Sequence, residues 1–346
     1  MLALVAVAAV AAGGAAAVTG GVQDEDSAQP RQGACDRFAS PRGHRSVQRL
    51  VNSLRPGEVG CLRKGTYRGA LSIRRGGTPG HPITLQPRPG ESARILGPIV
   101  VTGRASHVVV RRLYLNGRNR SESPSPIVNG QRILFADNDV TNDHTAICFA
   151  LGNYRFGVAR HVTLQRNRVH DCGTLPATNL EQGVYVAIAR DTRVIGNWIY
   201  ANADQGVQLY PDARRTRVVG NVIDSNGEGI IFGGSGRLAA SDNLVEGNVI
   251  SNSTLRDNVE ASFDGPLGSG NLLRRNCIGG GARDDGLGGI ISPVFGFSAI
   301  DNLVAAPAFK GAGSSDYRLV AGSPCVRVFR GDPNRVPGPG LPPPGG

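Results

Sequence analysis

VTLQRNRV (162–169) is followed along the chain by RVIGNWI (193–199), RVVGNVI (217–223), NLVEGNVI (243–250) and NLLRRNCI (271–278). Each is a short aliphatic stretch, an Asn, one residue and another aliphatic. The Asn positions are Asn138, Asn167, Asn197, Asn221, Asn248, Asn276 and Asn302, with successive gaps of 29, 30, 24, 27, 28 and 26 residues. A repeat of this length is the signature of a solenoid, in which each coil buries its apolar face only against its neighbours.

After each Asn and a polar stretch comes a second apolar strand, usually opened by Gly: GVYVAIA (183–189), GVQLY (206–210), GIIF (229–232), GGIIS (288–292). Residues 216–232 must therefore hold two or three short strands with sharp turns and no room for a helix. β-Branched and aromatic enrichment between Gly, Asn and Asp is strand chemistry. Alternation places Val218, Ile223, Ile230 and Phe232 inward and Ile231 outward. A leucine-rich horseshoe shares part of the spacing, but it follows the Asn with a Leu-spaced helical segment, which is missing here. A buried Asn at each turn can bond to the coils above and below, as stacked amides do, so the Asn file reads as structural. The fold class is all-β, a single-stranded parallel β-helix of nine or ten coils. Ahead of it, Val47, Leu50, Val51 and Leu54 form one helical stripe after Ser46 and before Pro56-Gly57, predicting a capping helix over 46–55.

Two segments make the chain resemble the right-handed parallel β-helix proteins of the pectate-lyase-like superfamily. One is the run of coils from about 133 to 304. The other is the leading segment 46–98, where a short helix precedes PGE and GTYRG, similar to the first coils of secreted β-helix polysaccharide lyases. The ending NLVAAPAFKGAGSSDYRLVAGSPC (302–325) is similar to their closing segments. The resemblance implies a right-handed solenoid whose substrates lie along the outside of the strand that follows the Gly. It also brings departures. Those lyases use a Lys base in the central coils, and this chain has no Lys between Lys64 and Lys310. The Asp trio of the β-helix pectin hydrolases and the Asp-Pro-His pattern of the β-helix alginate epimerases are missing too.

Residues 1–20 read as a secretory signal, apolar and small, with cleavage near Ala17 but without the usual leading basic residues. A linker (21–45), a β-helix domain (46–330, its closing segment 302–330) and a Pro/Gly tail read as disordered (331–346) follow. Six cysteines in an exported chain imply disulfides, and fifteen pairings are open. The expectation is Cys35 with Cys61, Cys148 with Cys172, one coil apart, and Cys277 with Cys325. No metal-type Cys/His spacing occurs. The net charge of +11, almost all of it from Arg, suits an anionic glycan or cell surface. With no aromatic stacking platform or binding motif, nucleic acid is not the expected partner. The mature chain is expected to be secreted, monomeric and free of membrane spans.

Aligning the coils on the Gly places Cys148, Tyr185, Gln208, Ile231, Glu260 and Ile291 outward on successive rungs. Two residues before it stand His144, Glu181, Asp204 and Gly227; one before it, Thr145, Gln182, Gln205, Glu228 and Asp257. Stacked carboxylates must bind a cation, share protons or splay into water, unless they cap turns. Uronate β-elimination needs a base, a cation for the substrate carboxylate and an acid. Candidate bases are His170 (oriented by Asp171), Tyr185 and His144; candidate carboxylate binders are Arg190, Arg193 and Arg155. Glu181, Asp204 and Glu228 are candidate Ca²⁺ ligands through oxygen, and Asp204 with Glu228 also fits a hydrolytic pair. His144, Gln208, Tyr210 and Glu260 are the expected substrate contacts. The reading is a protein acting on or binding an acidic polysaccharide, with uronate elimination as the candidate chemistry. Its alternative is a non-catalytic carbohydrate-binding or structural β-helix.

Overall fold

The computed structural model describes residues 35–43, 46–261, 265–291, 296–329, 331 and 338. The expected signal, most of the linker and nearly all of the tail lie outside them. The chain winds as a right-handed parallel β-helix of about ten turns. One ten-stranded sheet takes a single strand from each coil, the strand after the Asn. A 20-stranded sheet combines the other two walls. The central coils keep strict register: Val169 pairs with Ile199, Ile199 with Ile223, Ile223 with Ile250 and Ile250 with Ile278. All five are fully buried, so the repeat period translates directly into an aliphatic column in the bore.

The Asn file is continuous. Asn197 Nδ2 donates to Asn221 Oδ1 at 2.9 Å and Asn221 Nδ2 to Asn248 Oδ1 at 2.9 Å, and the backbone N–H of each Asn donates to the same oxygen. The file runs unbroken from Asn138 to Asn302. Asn202–Asn226 and Asn243–Asn271 form two shorter files at the other turns.

Helix α1 (Ser46–Ser53) buries Val47, Leu50 and Val51 over the first coil. It stops two residues before the expected Arg55 because the Arg55 N–H turns to the Glu58 carboxylate at 2.9 Å. The disulfides are Cys35–Cys61, Cys148–Cys172 and Cys277–Cys325, with no free cysteine among the described residues. The closing segment lies along the flank of the solenoid. Tyr317, Leu319, Cys325, Val326 and Phe329 form a second apolar cluster with Trp198, Tyr200, Val222, Val249 and Cys277 on the outer face of the ten-stranded sheet.

One coil departs from the expected alignment. Phe149 pairs with Val184 and Ala150 with Tyr185, so Ala150, not Cys148, takes the outward place beside Tyr185. Cys148 is fully buried in its disulfide. A Cβ on Gly183 would come within 2.7 Å of Asn202 Nδ2, and one on Gly206 within 2.9 Å of Asn226 Nδ2. Cys148 occupies the Gly position, and its bond to Cys172 replaces that Gly–Asn contact. His144 and Thr145 consequently fall outside the polar columns that precede the Gly.

Candidate functional site

The outward column on the post-Gly wall is Ser72, Val100, Ile127, Ala150, Tyr185, Gln208, Ile231 and Glu260, each paired with the next. Adjacent rungs are about 4.8 Å apart. Tyr185, Gln208 and Glu260 are each partly exposed, whereas Ile231 is covered. Burial, with a smaller contribution from the Tyr210 phenol, pushes the Tyr185 hydroxyl up to about 12. It is therefore a hydrogen-bond donor at neutral pH rather than a base.

Behind this column runs a buried polar ladder. Gln182 Nε2 donates to Gln205 Oε1 at 3.2 Å, and Gln205 Nε2 donates to Glu228 Oε2 at 2.9 Å. Arg256 spans two carboxylates, with Nε at 3.0 Å from Glu228 Oε2 and a terminal nitrogen at 3.2 Å from Asp204 Oδ1. Glu228 Oε1 is buried and has no hydrogen-bond partner among the described residues, and the Glu228 and Glu260 carboxyls act electrostatically on one another. Two neighbouring carboxyls disfavour a second negative charge. Burial raises the Glu228 carboxyl above its ordinary value, with the Gln205 and Arg256 hydrogen bonds opposing it. Burial first, then the negative charges of Glu228 and Asp257, push Glu260 up to about 8. Glu260 thus holds the proton at neutral pH, on the more exposed member of the pair.

The other acidic candidates are committed locally. Asp204 is fully buried and accepts the backbone N–H groups of Thr178, Asn179, Leu180 and Glu181 at 3.3, 2.8, 3.0 and 3.0 Å. It pins the loop before Val184–Arg190, the turn-capping role that a carboxylate before a strand commonly takes. Glu181 receives the Thr174 N–H. With Glu228 held by Gln205 and Arg256, the trio Glu181, Asp204 and Glu228 does not fit a calcium ion. No group of three or more His, Cys, Asp or Glu side chains is placed to hold a metal among the described residues.

His170 sits on the ten-stranded sheet, away from the Tyr185 column. Its Nε2 is 2.8 Å from Asp139 Oδ1 and its Nδ1 2.7 Å from Asp171 Oδ2, and its ring stacks on Tyr200 at 5.0 Å. Burial lowers its pKa, but the two carboxylates outweigh that and raise it to about 9. Asp171 does orient it, as the sequence suggested, but the product is a clamped imidazolium, unable to accept a proton. His144 Nδ1 meets Gly173 O at 3.0 Å, and its Nε2 lies 3.4 Å from Asp171. Arg190 is bound to Asp212, whose buried carboxylate also takes Arg214 at 2.7 Å and the Tyr154 hydroxyl at 2.8 Å. Tyr210 is partly exposed where the pairing between Val184–Arg190 and Gln205–Arg214 shifts by one residue. Arg155 is exposed, over the Phe156 ring at 5.3 Å.

The sequence reading missed Arg256. Its only signal was adjacency to Asp257, the last residue of a polar column. No helix is long and apolar enough to cross a membrane among the described residues.

A family model described as right-handed beta helix region matches residues 126–278. Among solved structures, a pectate lyase, Pel9A, aligns at 15% identity over 84% of this chain and 91% of that chain, with a TM-score of 0.59. The mannuronan C-5 epimerase AlgE4 A-module of Azotobacter vinelandii aligns at 16% identity over 78% of this chain and 96% of that chain, with a TM-score of 0.46. A rhamnogalacturonan lyase aligns at 12% identity over 79% and 90%, with a TM-score of 0.48. No curated protein sequence matches the chain.

Proposed function

We propose that this right-handed parallel β-helix is a secreted protein that acts on an acidic polysaccharide laid along the Tyr185–Gln208–Ile231–Glu260 column, with Glu260 as the acid. The carrying observation is the Glu228–Glu260 pair, a buried carboxyl fixed by Gln205 and Arg256 beside a partly exposed one raised to about 8. A neutral carboxylic acid on an open face is what protonation of a glycosidic oxygen requires. Tyr185 and Gln208, on the two nearest polar rungs, supply hydrogen bonds to sugar hydroxyls. Proton donation to the leaving oxygen is common to β-elimination and to hydrolysis. Neither a lyase base nor a calcium ion is assigned here. Three disulfides suit an oxidising, extracellular setting.

A non-catalytic glycan-binding role is the second reading. It is favoured by the internal commitment of His170, Arg190 and Asp204, none of which is left to converge on Glu260. The test is incubation of the protein with pectate, alginate, glycosaminoglycans and neutral glycans, following new unsaturated uronate ends by ultraviolet absorbance and reducing ends chemically. The expected result is turnover of an acidic glycan that declines above about pH 8 and falls at least 100-fold in Glu260→Gln, with glycan binding retained. Turnover surviving in Glu260→Gln removes the acid role. Saturable binding without turnover selects the second reading, and neither binding nor turnover overturns both.

A further inference from the structure

One central coil carries more chain than its closure requires. Leu151 pairs with Val186 and Ala159 with Ala189, so residues 152–158 stand where the next coil passes with only Ala187 and Ile188. The surplus leaves the wall as a hairpin. Asn153 and Gly157 exchange backbone hydrogen bonds at 2.8 Å, and the Asn153 side chain accepts the Arg155 N–H at 2.9 Å. A Cβ on Gly103 would come within 2.6 Å of Phe156 O, and one on Gly157 within 2.7 Å of Asn129 O, so the hairpin rests on the two coils before its own. In the other direction the Tyr154 hydroxyl donates to the buried Asp212 carboxylate at 2.8 Å, two coils further on. The hairpin therefore lies along the solenoid axis, fastened at both ends.

Its position makes it a rim of the proposed cleft. It leaves the wall two residues after Ala150, and Asp212 belongs to Gln205–Arg214, the strand that carries Gln208. Ala150 stands four rungs, about 19 Å, from Glu260 along the outward column. Although the backbone is packed down, the side chains face water: Tyr154 and Phe156 are each 60% exposed. Arg155 is exposed between them in sequence, its guanidinium 5.3 Å from the centre of the Phe156 ring. Single exposed apolar residues need no explanation, but two rings on an insertion that the coil does not require do. A flat ring offers apolar contact to the C–H face of a pyranose, and a guanidinium pairs with a carboxylate through two parallel hydrogen bonds. Anchoring by Asp212 and by the two glycines fixes the hairpin before any ligand arrives, which lowers the ordering cost of binding. The hairpin carries a single basic residue, whereas a nucleic-acid backbone is tracked by a continuous basic groove.

We propose that the 152–158 hairpin is a sugar-binding subsite for a uronate residue of the polysaccharide, with Tyr154 and Phe156 against the apolar ring faces and Arg155 on the carboxylate. The inference rests on the acidic glycan of the proposed function but not on Glu260 as the acid. It gives Arg155 the carboxylate-binding role that its residue type suggested. It also makes the protein a reader of extended chains, since a sugar held at the hairpin lies several residues along the polymer from the one beside Glu260.

The experiment measures the affinity of the intact protein for polygalacturonate, alginate, neutral dextran and single-stranded DNA, with KM and kcat on any acidic glycan that is turned over. It compares wild type with Phe156→Ala, Phe156→Trp, Arg155→Gln and Glu260→Gln. Phe156→Ala and Arg155→Gln are each expected to bind the acidic glycan at least fivefold more weakly and to raise KM more than they lower kcat, because they remove binding away from the acid. Their melting temperatures are expected to match wild type, since both side chains are exposed. Phe156→Trp keeps a flat ring and is expected to bind within twofold of wild type. Wild-type affinity in both Phe156→Ala and Arg155→Gln would overturn the subsite. So would an equal loss of dextran binding in Arg155→Gln, tighter binding of DNA than of any glycan, or no binding of either acidic polymer. Glu260→Gln keeps the two readings apart. Turnover retained in Glu260→Gln with weakened binding in Phe156→Ala removes the acid and leaves the subsite. Turnover lost in Glu260→Gln with wild-type affinity in both hairpin variants leaves the acid and removes the subsite.

Discussion

Replacing Asn221 with Ala cuts the Asn file at mid-stack, and its cost can be worked out bond by bond. The Asn221 side chain accepts the Asn197 N–H at 2.8 Å and Asn197 Nδ2 at 2.9 Å, and it donates to Val194 O at 2.8 Å and Asn248 Oδ1 at 2.9 Å. Removing it fully orphans the Asn197 N–H in a site closed to solvent. Asn197 Nδ2 still reaches Leu164 O, and Asn248 Oδ1 still receives the Asn221 N–H. One orphaned buried donor costs about 1–3 kcal/mol and each of the three weakened partners, Asn197 Nδ2, Val194 O and Asn248 Oδ1, roughly 0.5–1 kcal/mol, for a total of ~2.5–6 kcal/mol. Asn302, the last and partly exposed member, donates to Leu273 O and accepts from Asn276. Groups freed there reach water, so Asn302→Ala is expected to cost about 1–2 kcal/mol. Asn221→Asp keeps both acceptor contacts but turns lone pairs toward Val194 O and Asn248 Oδ1, and is expected to cost at least as much as Ala. The assay is urea unfolding followed by far-ultraviolet circular dichroism, with the midpoint shift converted through the measured slope. If Asn221→Ala lies within 1 kcal/mol of wild type, or no further from it than Asn302→Ala, the file is not what couples the coils.

Two further outcomes follow from contacts already described. His170 has a folded pKa of about 9 against 6.5 unperturbed, so its ion pairs contribute stability that is full below pH 6.5 and disappears as pH rises through 9. That difference corresponds to about 3 kcal/mol, and His170→Gln should flatten the stability profile between those values; an unchanged slope would mean that the imidazole is neutral in the folded protein. The Cys277–Cys325 disulfide closes 48 residues, for which chain entropy gives about 4 kcal/mol. Cys277→Ser/Cys325→Ser is expected to loosen the closing segment and red-shift the emission of Trp198, whose ring meets Tyr317 at 5.7 Å, whereas unaltered emission would show that the flank packing holds without the bond.

The parts of this molecule legible in the sequence are those that every coil must repeat. Asn138 to Asn302 could be read because each must serve the backbone of the next coil. The Gly before each post-turn strand could be read because a side chain at Gly206 or Gly229 would come within 2.7 Å of Ile223 or Ile250 of the following coil. The alignment slipped at 144–150 because Cys148 and Cys172 solve the same steric problem with a covalent bond, and a pattern search for Gly does not see it. His170 could be read as a loop base because its partner Asp139 lies 31 residues away and one coil below. Arg256 was invisible for the same reason: it joins Asp204 and Glu228, 52 and 28 residues distant, only once the register is fixed.

A parallel solenoid converts sequence repetition into columns, and a column of identical polar groups must resolve its own chemistry. The Asn column does so because an amide both donates and accepts. Asp204 and His170 do so by drawing on loop amides and on neighbouring carboxylates. Groups satisfied in this way have no electrostatic demand left for a ligand. One column keeps such a demand on an open face. At Glu228 and Glu260 burial and the neighbouring negative charge favour a proton on the outer carboxyl. Function in this fold is therefore to be sought where stacking leaves a column chemically incomplete, and in this chain that place is the partly exposed Glu260 beside the buried Glu228.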